Sequence, residues 1–319
     1  MRKSIFLAIL SLTIFAATLI GSWVDVPFAS AAPVTALDTA STPPPVIPAK
    51  AERSGPALWT IDKAKGHIWF FGSVHVLPKG EQWRTPELTQ ALEATDAIVL
   101  EIPFADAQSM TMQAYLITSG FSLSQQPLSK QGTPDQQAAF AKAAHAAGLE
   151  PYQIDQMKPW FAAISLTMGL LVKSGYDPNN GVDQHIDREA DQRGKERLYF
   201  ESAREQLDLF INLPADTQMK MLRDTVSEIN DNPKMVDDLV AAWRSADVKN
   251  LSKLANDSYT SPELEKVLLT DRNERWVTQI DSWLKDDKNY LIVVGAGHLA
   301  GEDSVIAMLR NKGVKVKGP

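Results

Sequence analysis

The sequence predicts an α/β (α+β) fold in which a central mixed sheet is built from the N- and C-terminal segments, with a largely helical middle inserted between them. Three observations carry this. A strand–turn–helix pattern opens the folded region ("HIWFFGS" then "TPELTQALEATD") and another closes it ("YLIVVGAGHLAG" then "EDSVIAMLRNKG"). The stretch between them, about residues 106–285, is dominated by helical patterning. Both apolar runs break into Gly-x-x-His. With 319 residues, 44% hydrophobic and 22% charged, the chain can bury a substantial core, and residues 57–319 read as a single domain.

Two segments precede that domain. Residues 1–31 read as a signal peptide: "MRK" gives the positive start, "SIFLAILSLTIFAATLIG" the apolar stretch, and Ala29-Ser30-Ala31 the small-x-small cleavage pattern. The membrane becomes a partner only if this segment stays uncleaved, because the apolar run approaches the length of a bilayer span. Residues 32–56 form a Pro/Ala-rich linker without apolar period. The expected location is the periplasm of a Gram-negative bacterium, or outside the cell. The chain has no cysteine, so an exported fold must rest on its core, and thiol nucleophiles and Cys-based metal sites are excluded. A formal charge of −7 with no basic cluster excludes nucleic acid as a main partner.

Within the domain, "ALWTID" and "HIWFFGS" flank "KAKG" and predict a hairpin turning at Gly66. "TPELTQALEATD" predicts a helix with Thr85 as N-cap, Pro86 in its first turn and Glu87 near its positive end. "AIVLEIP" is a short buried strand stopped by Pro103, so residues 68–102 form a βαβ-like unit with parallel strands. Helices are predicted at "DAQSMTMQAYLITSG", "PDQQAAFAKAAHAAG", "PWFAAISLTMGLLVKSG", "GVDQHIDREADQRG", "PADTQMKMLRDTVSEIN" and "KMVDDLVAAWRSAD". One short strand, "ERLYFES", interrupts them. "PWFAAISLTMGLLVK" is too short for a bilayer and carries Ser165 and Thr167, which makes it a core helix. "SPELEKVLLTDRNERWVTQIDSWLKD" is an amphipathic helix or helix pair leading into "YLIVV", the loop "GAGHLAG", a helix and a final strand "VKVK".

Four predicted strands end on polar groups: at Ser73 and His75, at Glu101, at Glu201, and at His298. In an open α/β sheet ligands bind beyond the carboxyl ends of the strands, so parallel strands would gather these groups at one rim. Gly72, Gly295 and Gly297 permit sharp turns and close approach there. Two imidazoles and one or two carboxylates suit a divalent metal, with His75, His298 and Glu101 as candidate ligands. Glu101 or Glu201 is then available as general base. Arg272, in "TDRNERW", is suited to orient a carboxylate or stabilise an oxyanion. Asp183 and His185 in "GVDQHIDREA" are possible additional ligands or helix-surface groups. Ser73 precedes His75 by two residues, a conceivable Ser–His pair without a G-x-S-x-G elbow. His67 and His145 read as surface residues, and neither an H-E-x-x-H helix nor a phosphate-binding loop is present.

The motifs "LWTID…HIWFFGSVHVLP…DAIVLEI", "KPWFAA", "GVDQHI…A…GK…FES…EQL", "DRNERW" and "VVGAGHLAG", in this order over residues 57–318, resemble the TraB/GumN family, which is related to the Tiki proteins. The resemblance implies an α/β core formed by both ends of the chain and a metal-dependent hydrolase activity, since Tiki relatives act as metalloproteases, often with manganese or cobalt. It matches the paired Gly-x-x-His motifs to His75 and His298, and the accompanying Glu and Arg to Glu101 and Arg272. Ser73 stands where Thr is more usual. Distant relatives of this fold include an esterase and a haem-binding protein. The expectation is an exported hydrolase of peptide or protein substrates using manganese, cobalt or zinc. The competing class is a non-catalytic protein binding haem, a peptide or a polysaccharide-assembly partner at the same rim. The oligomeric state is open.

Overall fold

The computed structural model describes residues 55–319 except 124–125, 233 and 258–260. The expected signal peptide, and the linker up to residue 54, lie outside the described residues.

The predicted hairpin pairs β1 (Leu58–Asp62) antiparallel with β2 (His67–Ser73). Beyond a two-residue β3 (Leu77–Pro78), the helix Pro86–Ala94 starts at Thr85, whose hydroxyl accepts the Leu88 N–H at 3.1 Å. It leads into β4 (Ala97–Leu100). A two-residue β5 (Tyr176–Asp177) pairs with β3 apart from the main sheet, and β6 (Glu196–Tyr199) and β7 (Tyr290–Gly295) follow. The main sheet has the order β1-β2-β7-β4-β6, and all its pairings except β1–β2 are parallel. The crossover from β2 to β4 therefore leaves a gap, and β7 from the far end of the domain fills it.

The period of two along each strand sorts the core into two faces. Ile68, Phe70, Val99 and Ile292 lie in one apolar cluster with Trp276 and Leu309. Phe71, Ile98 and Val293 lie in the other, with the helical middle. Both faces are covered, which is why β4 and β7 are buried along their length and read as unbroken apolar runs. The helix Pro159–Lys173 buries most of its circumference inside the second cluster. Among the described residues no helix is long and apolar enough to cross a membrane.

Several elements differ from expectation. "VKVK" is no strand: Lys317 makes an isolated bridge to Thr60, after which Gly318 turns at positive φ and Pro319 has no N–H to continue the ladder. The loop "GAGHLAG" contains a 3-10 turn, Ala296–Leu299. The predicted helix at residues 106–120 breaks into Phe104–Ala107 and Met110–Gly120, the second capped by Ser109. The amphipathic stretch near 270 runs Pro262–Glu265, a π-helical turn Lys266–Thr270, then Asp271–Trp283. π-Helical turns are rare and occur often at functional sites; this one ends just before Arg272.

A buried histidine, carboxylate and arginine rim

Because β2, β7, β4 and β6 run parallel, their carboxyl ends fall on one edge of the sheet. Ser73 ends β2 opposite Gly295, the last residue of β7. Beyond β4 and β6 the ladder continues, with Phe200 N–H donating to Leu100 O and Glu201 N–H to Glu101 O, each at 3.0 Å. That continuation sets Glu101 and Glu201 side by side. The 3-10 turn after β7 carries His298, and the helix Asp271–Trp283 brings in Arg272. The structure thus brings His75, Glu101, Glu201, Arg272 and His298 together, all buried.

Arg272 organises the group, and it is 1% exposed. Its Nε donates to Glu201 Oε1 at 2.9 Å, and its Nη2 to Glu101 Oε2 at 2.6 Å and to Glu201 Oε1. Nη1 donates to Leu268 O at 3.2 Å and to His298 Nε2 at 3.0 Å. A guanidinium has five N–H donors, and here each has an acceptor, which is what its burial requires. Gln206 Nε2 adds donors to Glu101 Oε2 and Glu201 Oε1 at 3.0 and 3.3 Å, and Gly295 N–H donates to Glu101 Oε1 at 2.7 Å. Burial alone would push the Glu101 carboxyl up; Arg272, the two histidines and the Gly295 N–H outweigh it and hold the pKa at about 2.

The two histidines are held differently. Asp183, in the first turn of the helix Val182–Gln192, accepts from His75 Nδ1, which leaves His75 Nε2 buried, without a partner, 4.0 Å from Glu101 Oε1. Burial disfavours the His75 imidazolium, but the Asp183 carboxylate more than offsets this and raises the pKa above the ordinary value. His298 donates from Nδ1 to Asn273 Oδ1 at 2.6 Å, and burial together with Arg272 drives its pKa down to about 3. Trp276 packs against the His298 ring, with ring centroids 4.4 Å apart.

Two glycines make the close packing possible. A Cβ on Gly181 would sit 2.5 Å from His75 O, so the turn that delivers Asp183 requires glycine. A Cβ on Gly295 would lie 3.1 Å from Glu101 Oε1, 3.4 Å from His75 Nε2 and 3.7 Å from His298 Cδ2. The missing side chain leaves open the space these three groups face.

Other candidates lie elsewhere or act otherwise. His185 is exposed beside Trp83 and Arg188. Two residues on a helix turn the side chain by about 200°, so burying Asp183 sends His185 outward, and it is no ligand here. The Ser73 hydroxyl is buried but has no hydrogen-bond partner, so no Ser–His pair forms; the His75 ring is turned to Asp183 and Glu101. His67 and His145 lie at the surface beside Asp62 and Glu150. Asn273, Gln206 and Trp276 were not anticipated as site residues. All three lie inside or beside the quoted motifs "DRNERW" and "EQL", which was the available clue.

Glu201 also lines a groove of about 700 Å³ with Phe200, Leu213, Glu263 and Arg275. Arg275 is half exposed and stands 3.7 Å from Glu201 Oε2, so the second carboxylate oxygen faces the open side of the network.

Among the described residues no group of three or more His, Asp and Glu side chains is arranged to hold a metal ion. Two of the donors nevertheless have the chemistry a divalent cation uses. His75 Nε2 is an orphaned buried acceptor, Glu101 Oε1 stands opposite it, and each histidine gives its Nδ1 proton to a side-chain oxygen, as metal-ligating histidines do. The third donor, His298 Nε2, is engaged by Arg272.

A doubly covered α/β sheet that gathers two histidines, two carboxylates and an arginine at its carboxyl edge defines the class of protein. The sequence profile of the TraB/PrgY/gumN family matches residues 57–318, and the chain belongs to that family. It is 23% identical over 257 residues to "Uncharacterized protein YbaP" of Escherichia coli (strain K12), covering 80% of this chain and 92% of the relative. The Shigella flexneri protein of the same description matches with the same identity and coverage. No solved structure matches the chain.

Proposed function

We propose that the protein is an exported metal-dependent hydrolase whose favoured substrates are peptides. The observation that carries this reading is His75 Nε2: oriented through Nδ1 by a buried carboxylate, without a partner, and aimed at a second carboxylate that is ionised at neutral pH. A buried acceptor left unpaired costs about 1–3 kcal/mol, so the arrangement calls for an electrophile. His75 Nε2 and Glu101 Oε1 would hold manganese, cobalt or zinc, joined by His298 Nε2 once Arg272 Nη1 releases it. Such an ion supplies a Lewis acid and lowers the pKa of bound water. The export part of the reading rests on residues 1–31.

The chain's own groups then divide the work. Asp183 and Asn273 orient the two imidazoles. Glu201, whose Oε2 lies toward the groove, takes the proton from the attacking water. Arg272 holds Glu101 ionised and ties it to Glu201, and its charge at the rim offsets negative charge developing on the substrate. The groove beside Glu201 receives the substrate chain.

The test is hydrolysis of a quenched-fluorescent peptide mixture by the purified protein with manganese, cobalt or zinc added singly. The expected result is metal-dependent turnover that falls at least about 100-fold in Glu201→Gln. Turnover unaffected by chelation, or equal in Glu201→Gln, contradicts the assignment. Tight, stoichiometric ligand binding without any turnover would favour the binding-protein class instead.

A further inference from the structure

One helix encloses His298 from three directions. Arg272, Asn273 and Trp276 are consecutive or one turn apart on Asp271–Trp283, and they meet Nε2, Nδ1 and the ring of the same imidazole. The hydrogen bonds fix every proton. Asn273 is fully buried, and one end of its amide lies 2.7 Å from the backbone carbonyl of Asp303. A carbonyl only accepts, so that end is Nδ2 and the other is Oδ1. Oδ1 only accepts too, so His298 Nδ1 carries the proton. Independently, Arg272 Nη1 only donates, so His298 Nε2 carries the lone pair. Two neighbours on opposite sides of the ring demand the same tautomer.

We infer that Asn273 is a positioning residue: pinned by the Asp303 carbonyl, it holds His298 as the Nδ1–H tautomer with its Nε2 lone pair turned into the rim. An amide does here what the Asp183 carboxylate does for His75, but without adding charge. The same sequence step that sends Arg272 to one edge of the ring sends Asn273 to the other, so the phase of a single helix sets both contacts. The inference deepens the hydrolase reading by naming what prepares its second imidazole. It concerns the ring rather than the reaction, so it stands or falls on metal-free protein whatever becomes of that reading.

The experiment is nitrogen-15 NMR of the histidine side chains in the purified metal-free protein, with His298 assigned by the signal missing from His298→Gln. In the wild type His298 should show a protonated Nδ1, an unprotonated Nε2 and an exchange-protected Nδ1–H. Asn273→Leu should accelerate exchange of that proton by about tenfold or more, while backbone amides of the strand Tyr290–Gly295 keep their protection. A proton on Nε2 in the wild type overturns the inference and needs no variant to fold. So does unchanged exchange in Asn273→Leu, or exchange that rises equally in the ring and the strand.

Discussion

At the scale of single residues, Arg272 is the group on which the rim depends. It lies between two glutamates and a histidine, and all are buried. Removing one member of such a network leaves charges facing one another away from water. Arg272→Met should therefore lower the unfolding free energy by about 3–5 kcal/mol, read from urea denaturation, even though methionine is helix-compatible. A loss under ~1 kcal/mol would mean that Arg272 does not hold the network together. The acid limb of stability follows from the same groups in metal-free protein. Glu101 has its folded pKa depressed from 4.5 to about 2, so its contribution is present above pH ~4.5 and is lost as pH falls through about 2. That contribution is on the order of 3 kcal/mol. His298 is depressed from 6.5 to about 3, so only the unfolded chain takes up its proton between those values, and stability falls over that window too. His75 is raised instead; its contribution is present below about 6.5 and is lost as pH rises through its folded value. Urea midpoints measured from pH 6 to pH 3 should fall steadily, and the fall should shrink in His298→Gln. A flat profile would contradict the assigned ionisation states.

At the scale of elements, the helix Ala203–Ile211 shows how local sequence supports the site. Ser202 Oγ accepts the Glu205 N–H at 3.1 Å, and Glu205 Oε2 accepts the Ser202 N–H at 2.8 Å, forming a capping box one residue after Glu201. Gln206, which bridges both glutamates, follows in the same first turns. Ser202→Ala should cost about 1 kcal/mol in a thermal or urea melt, and a neutral result would mean that the cap is idle. Elements were legible in the sequence to the degree that one interaction dictated them. β4 and β7 showed as apolar runs because both faces are covered. The helix at Pro86 showed because Thr85 and Pro86 mark its start. The 3-10 turn that carries His298 did not, since "AGHL" is too short to display a period. Nor did the π turn before Arg272, because over five residues its pattern cannot be told from that of an α-helix. "VKVK" alternates like a strand, and Gly318 with Pro319 ends its pairing after one bridge.

At the scale of the whole molecule, the two ends of the domain interleave: β7, from its last thirty or so residues, separates β2 from β4, which come from its first fifty. The sheet and the rim close together, because β7 supplies the central pairings as well as Gly295 and the turn to His298. A chain ending at residue 286 should lack the cooperative melt of the full protein by circular dichroism, since its apolar strand faces would be exposed; a two-state melt would show that the N-terminal part folds unaided. Convergence of the four strand ends was readable from sequence once parallel pairing was assumed. What escaped was the network that joins them: Asn273, Gln206 and Trp276 have no distinctive spacing, and long-range hydrogen bonds leave no periodic trace.

The proposed function requires His75, Glu101 and His298 to hold one divalent cation between them. Its most direct test is elemental analysis of the purified protein after loading with manganese, cobalt or zinc and removal of unbound metal, beside His75→Ala and His298→Ala. Near-stoichiometric metal is expected in the wild type, with loss in both variants. No metal in the wild type, or metal retained when either histidine is removed, would contradict it.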